Sequence, residues 1–173
     1  YLMKKVLVLA YQISPTRGSE YSVAWNYVSE MSKDNELVVL YGASGNHMGD
    51  FVNFDKYLNS DNFKNFKFIS IKPNVFANKI NILNKKKWFK YAFYFAYRIW
   101  QRQAYGTALN LLKEEHFDLI HFLNPIGYRE PGYLWKIDIP YIWGPISGFC
   151  NRPEQLFKAL SIKGNFFLSL ETK

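Results

Sequence analysis

Apolar residues in this chain come as short unbroken runs that alternate with stretches of helical spacing. Val6-Leu7-Val8-Leu9-Ala10 is continuous in aliphatics, the pattern of a strand covered on both faces, and Lys4 to Ala10 reads as the first strand. Ser19 is placed to cap a helix reaching about Lys33, with Val23, Tyr27, Val28 and Met31 on one face. Leu37-Val38-Val39-Leu40 marks a second strand over Glu36 to Tyr41. A glycine-rich loop from Gly42 to Gly49 and a short helix over Phe51 to Leu58 follow. Lys67 to Ile71 is a third strand, more polar and therefore nearer an edge. A long helix is predicted from about Lys85 to Lys113, with a break near Gly106. Asp118 to Leu123 is a fourth strand ended by Asn124-Pro125, and Tyr133 to Lys136 is a helical turn. Pro140 to Trp143 is a fifth strand ended by Gly144-Pro145, and the tail from Pro153 reads as helix interrupted at Gly164.

This order predicts an α/β fold: a doubly wound, mostly parallel sheet of the Rossmann-like kind, one domain over residues 1–173. Right-handed crossovers then bring the C-terminal end of every strand to one edge. Ligands of such sheets bind at that edge, in loops 11–20, 42–49, 124–130 and 144–148.

Composition narrows the class. Apolar residues make up 49% of the chain, enough for a core, which excludes a disordered polypeptide. The single cysteine, Cys150, excludes an internal disulfide and a multi-thiolate zinc site, in keeping with a reducing, cytoplasmic setting. Its thiol reads as buried or neutral. No run approaches the roughly 20 apolar residues of a membrane span. The first apolar run lacks a small-residue cleavage site and so is a strand and not a signal peptide. Tyr1 and Leu2 ahead of Met3 read as an added remnant.

Charge is distributed unevenly. Between Asp61 and Glu114 there is no acidic residue, while eleven lysines and arginines fall there. That exceeds the net +8 of the whole chain, so the remainder is net acidic. Lys85-Lys86-Lys87-Trp88-Phe89-Lys90 sits in the middle of this region, ahead of an aromatic run to Trp100. Aromatics flanked by lysine are the composition of a membrane-interface element, so Lys85, Lys86, Lys87, Trp88 and Lys90 are candidate contacts with an anionic membrane surface. The same helix must also pack on the sheet, and Tyr91, Tyr94, Phe95 and Ile99 are the candidate core positions.

Chemistry at the C-terminal edge is sparse. The loop after the first strand holds Gly18 as its one glycine, so the three-glycine dinucleotide fingerprint and the P-loop lysine are both missing. Gly18 and Ser19 open a helix and offer free backbone N–H groups to an anion or a hydroxyl, with Glu20 placed to accept sugar hydroxyl protons. Plain helix capping by Ser19 explains the same residues. His121 lies near the end of the fourth strand, either as a hydrogen-bonded core residue or as a catalyst. Asn124, Arg129 and Glu130 supply an amide, a guanidinium and a carboxylate; the last two bind a polar ligand or pair with each other. His116 and His47 read as surface residues. No metal constellation and no G-x-S-x-G nucleophile elbow is present.

Several stretches resemble family 4 glycosyltransferases. Arg17-Gly18-Ser19-Glu20 with Val23-Ala24-Trp25-Asn26 is similar to their G-S-E…G-W-N opening, and Asp118-Leu119-Ile120-His121 to their D-[IV]-[IV]-H strand. Arg129 to Trp135, with Pro140-Tyr141-Ile142-Trp143-Gly144-Pro145-Ile146-Ser147-Gly148, resembles their R-x-P…L-W…P-x-x-W-G-P-[IV]-[SG]-G segment. The resemblance runs in order along the chain. It implies one half of a GT-B architecture: the N-terminal, acceptor-side domain, with an E-x7-E donor-binding half not represented here. On that reading the domain serves a retaining enzyme that transfers a sugar from a nucleotide-sugar cosubstrate to a glycan or lipid-linked acceptor. It is inactive alone, needs no metal or other cofactor, and works in the cytoplasm, peripheral at the inner face of the plasma membrane. Gly18 and Ser19 then lie in the loop facing donor phosphate and acceptor, and Gly144 is a further substrate-binding candidate. Where many members carry H-x-H, this chain has His121-Phe122-Leu123, leaving His121 as the nearest catalytic candidate and Asn124 as a substitute sugar contact. The rival is a stand-alone membrane or nucleic-acid binding module built on residues 79–102, the nucleic-acid form being disfavoured because it leaves the Trp-Gly-Pro motif unexplained.

Overall fold

The computed structural model describes residues 3–18, 20–42, 65–83, 89 and 91–148. The strands are β1 Lys4–Ala10, β2 Asn35–Gly42, β3 Phe66–Ile71, β4 Leu119–Asn124 and β5 Tyr141–Trp143. The helices are α1 Glu20–Met31, α2 Val75–Leu83 and α3 Ala92–Glu114, with a 3-10 turn at Leu134–Lys136. All strands are parallel in the order β3-β2-β1-β4-β5. The predicted doubly wound α/β sheet is therefore the fold. The chain winds outward from β1 to β3, crosses back, and winds outward again through β4 and β5. The winding reverses between β1 and β4, and there a crevice opens at the strands' C-terminal ends.

Period-two alternation in the central strands sends side chains to two cores. Val6, Val8, Leu37, Val39 and Leu123 meet Ala24 and Val28 of α1. Leu7, Leu9, Val38, Leu40, Ile120 and Phe122 meet α3 through Ala96, Tyr97, Trp100, Ala104 and Ala108. The alanines let α3 lie close to the strands, and Trp100 fixes its height by donating from Nε1 to the Ile71 carbonyl at 2.9 Å. Tyr11, the first residue past β1, wedges edge-on between Tyr97 and Trp100, each ring centroid 4.7 Å away. Gly42 makes room for that wedge: a Cβ there would stand 2.8 Å from the Tyr11 ring.

Several expectations need correction. Val23 is exposed, and α1 buries Ala24 and Val28 instead. The long helix starts at Ala92, not Lys85, and passes through Gly106 without a break. Its predicted core is also displaced, because Tyr91, Tyr94 and Phe95 are exposed while Ala92, Ala96, Tyr97 and Trp100 are buried. Helix α2 was not anticipated. It begins after Asn74, whose Oδ1 accepts from the Ala77 N–H at 2.8 Å and so caps it. The short helix at 51–58, most of the 42–49 loop, His47, Cys150 and the helical tail from Pro153 lie outside the described residues.

Candidate functional site

The crevice between β1 and β4 is a cleft of about 240 Å³. Helix α1 contributes Glu20, Val23 and Ala24; β4 and its loop contribute Leu123, Asn124 and Ile126; the loop after β5 contributes Pro145, Ile146 and Ser147. Glu20 and the distant segment Pro145–Ser147 thus line one cleft.

A bulge shapes the floor. Leu9 pairs with Phe122 but Ala10 pairs with Asn124, so Leu123 is an extra residue in β4. Without it, alternation would send Leu123 and Asn124 to opposite faces; with it, both line the cleft. Asn124 is buried and bridges three elements. Its Oδ1 accepts from the Gln12 N–H at 3.0 Å, and its Nδ2 donates to the carbonyls of Gln12 at 2.6 Å and Glu20 at 3.4 Å. These bonds make Asn124 chiefly a staple that ties the β1–α1 loop to β4.

The loops after β4 and β5 run side by side beyond the sheet. The Ser147 N–H donates to the Ile126 carbonyl at 2.8 Å, and Gly127 and Ser147 form a parallel bridge. Gly148 closes this pair at φ 100°, where an added Cβ would lie 2.5 Å from the Tyr128 ring.

His121 lies one layer below the cleft and is not among its lining residues. It is buried, its ring meets Tyr27 edge-on at 4.8 Å, and its Nε2 lies 2.8 Å from the Gly144 carbonyl. As the Nε2–H tautomer it donates that bond and holds the end of β5. Nδ1 has no hydrogen-bond partner among the described residues. Burial holds the imidazole below its ordinary pKa, partly offset by the Gly144 carbonyl, so the ring is neutral near pH 7. The geometry makes His121 a positioning residue.

Of the remaining candidates, Glu20 stands at the cleft's entrance at the start of α1, its carboxylate without a hydrogen bond or ion pair among the described residues. Gly18 is exposed on the approach, and a Cβ there would meet nothing within 4 Å. Gly144 precedes the lining segment Pro145–Ser147. Ser19 lies outside the described residues, as do Lys85, Lys86, Lys87, Trp88 and Lys90. Arg129 is exposed, donating from Nε to the Tyr128 hydroxyl at 2.9 Å. Glu130 does not pair with Arg129. It is buried behind the sheet's other face and held by Arg98 through Nη2 at 3.1 Å and Nε at 3.3 Å. That pair pins the post-β4 loop to α3 and takes Glu130 out of the cleft. His116 is exposed, as expected. Ser147 and Ile146 were not nominated individually, although the Trp-Gly-Pro-Ile-Ser-Gly run that carries them was the signal.

Chemically, the cleft presents mostly aliphatic walls with a carboxylate, an amide and a hydroxyl at its margins. Its volume lies below the several-hundred-Å³ range of drug-sized sites. No metal-binding group of His, Cys, Asp or Glu exists among the described residues. Comparison of the chain with protein-family models, curated proteins and solved structures finds no match.

Proposed function

We propose that this chain is the acceptor-binding N-terminal domain of a retaining, family 4-type glycosyltransferase, which passes a sugar from a nucleotide-sugar donor to a glycan or lipid-linked acceptor. The observation that carries this reading is the meeting of Glu20 with Pro145, Ile146 and Ser147 across one cleft at the sheet's switch point. These are the residues of the two stretches that resemble that family. Aliphatic walls suit the C–H face of a sugar ring, while Glu20 and Ser147 accept or donate to its hydroxyls. Gly18 is compatible with it, since a Cβ there would meet nothing within 4 Å and packing does not require the glycine, whereas the Gly144 N–H and carbonyl are taken by Phe122 and His121. Among the described residues the cleft contains no general base besides Glu20, in keeping with a mechanism in which the leaving phosphate assists attack. Donor binding then falls to a second α/β domain, and the isolated chain does not turn over. The setting is cytoplasmic, at the inner face of the plasma membrane.

The test is saturation-transfer NMR of the chain against a panel of soluble oligosaccharides. Signal is expected for some of them, and Glu20→Ala and Ser147→Ala are expected to lower it without changing the melting temperature. Equal signal in wild type and both variants contradicts the assignment of the cleft, and sugar transfer by the chain alone contradicts the division of labour.

A further inference from the structure

The cleft offers a ligand much apolar surface and few polar groups. Its walls are Val23, Ala24, Leu123, Ile126, Pro145 and Ile146, all aliphatic. Val23 belongs to α1 yet stays out of the core, 49% exposed, and lines the cleft instead. One exposed valine is ordinary. Grouped with other aliphatic side chains around a single cleft, it leaves apolar surface in water that an apolar ligand group would cover.

Most of the polar capacity is already used. Asn124 commits Oδ1 to the Gln12 N–H and Nδ2 to the carbonyls of Gln12 and Glu20, and the Ser147 N–H goes to the Ile126 carbonyl. What the described lining side chains leave for a ligand is the Glu20 carboxylate and the Ser147 hydroxyl. An unsubstituted hexose carries hydroxyls all round its ring. Each one set against an aliphatic wall gives up its hydration with no hydrogen bond in return. A methyl group in the same place loses nothing and gains burial.

Charge narrows the ligand further. Glu20 is the one ionisable side chain among the described lining residues, and it is an anion. It also opens α1, so its charge counters the positive end of that helix. The arginines of the adjoining loops turn elsewhere. Arg17 lies over the Tyr21 ring at 5.5 Å and Arg129 over the Tyr128 ring at 5.2 Å, and neither lines the cleft. A carboxylate or phosphate on the ligand would therefore meet a like charge.

We infer that the cleft selects an uncharged sugar bearing a methyl group, N-acetyl or 6-deoxy, over unsubstituted hexoses and acidic sugars. The inference rests on the carbohydrate reading of the cleft proposed above and names the class of acceptor within it. The aliphatic walls hold the methyl group, and Glu20 accepts from a neighbouring hydroxyl or amide N–H.

Saturation-transfer NMR of the full chain tests it with two matched series: glucose, N-acetylglucosamine, 6-deoxyglucose and glucuronate, and their galactose counterparts. The N-acetyl and 6-deoxy arms tell which substituent supplies the methyl. In at least one series a methyl-bearing member should bind about fourfold tighter than the parent hexose, with its methyl protons the most saturated. The uronate should bind about fivefold weaker than the parent. Val23→Thr replaces a methyl by a hydroxyl at a half-exposed position and should abolish the preference for the methyl-bearing sugar. Glu20→Gln should remove the penalty on the uronate. The wild-type series carry the test if either variant folds poorly by circular dichroism. Equal binding of hexose and methyl-bearing sugar, or a uronate that binds as tightly as the hexose, overturns the inference and leaves the carbohydrate reading standing. A preference that survives Val23→Thr also overturns it, because the methyl then lies outside this cleft. Silence from both series overturns it as well, and silence from the oligosaccharide panel besides takes the carbohydrate reading with it.

Discussion

The two edges of the sheet are held together by different means. At the N-terminal edge the contacts are charged and near solvent: Lys5 pairs with Glu36 at 2.6 Å and Glu115 at 3.0 Å, and Lys67 pairs with Glu115 at 2.8 Å. At the C-terminal edge they are neutral and buried, with Asn124 on Gln12 and Glu20, His121 on Gly144, and Tyr11 between Tyr97 and Trp100. Solvent-facing pairs tolerate rearrangement because water replaces a lost partner. Buried neutral bonds hold loops in one geometry because a lost partner leaves a polar group stranded. A binding edge needs the second kind, and the cleft opens at that edge.

Substitutions should separate the two edges. Asn124→Leu strands the Gln12 N–H and carbonyl and is expected to cost about 3 kcal/mol, measured by urea denaturation, with loss of ligand binding. Gly42→Ala pushes a methyl against the Tyr11 ring and its carbonyl and should cost about 1–3 kcal/mol in the same assay. At the other edge, Glu115→Gln should cost less than about 1 kcal/mol and leave the cleft unchanged. The pairs with Lys67 and then Lys5 hold Glu115 below the ordinary carboxylate range, so its small contribution is present at neutral pH and lost as pH falls through that range.

The pH response of His121 sharpens the contrast. Its folded pKa is depressed by burial, so below the ordinary value near 6.5 the unfolded chain takes up a proton that the folded chain resists. Stability should decline as pH drops below that value, and His121→Gln, which keeps a donor for the Gly144 carbonyl, should remove this part of the decline. An unchanged pH profile in His121→Gln would show that the imidazole is not the group responsible.

The strands were legible because continuous Val and Leu runs have few alternative explanations, and the third strand's polarity correctly marked it as an edge. Helix α2 was hidden because Val75, Phe76, Ile82 and Leu83 break its amphipathic period by facing solvent; the Pro73-Asn74 cap was its one local signal. The seam of α3 was misplaced because it is built on alanines, while the large aromatics that draw attention at 91, 94 and 95 point outward. At the cleft, the run that carries Pro145, Ile146 and Ser147 stood out in the sequence, but the orientation of Asn124 did not, since a bulge inverts the alternation on which the reading depends. Glu130 pairs with Arg98 across 32 residues, a contact no local pattern announces.

The central claim is that the crevice between β1 and β4 takes a carbohydrate. Backbone amide NMR during titration with the oligosaccharide that gives the strongest saturation-transfer signal tests this most directly. Shifts concentrated at Glu20, Val23, Ile126, Ile146 and Ser147, with Lys5, Glu36 and Glu115 unmoved, are the predicted result. Shifts at the N-terminal edge, or a titration that leaves the cleft amides in place, would contradict it.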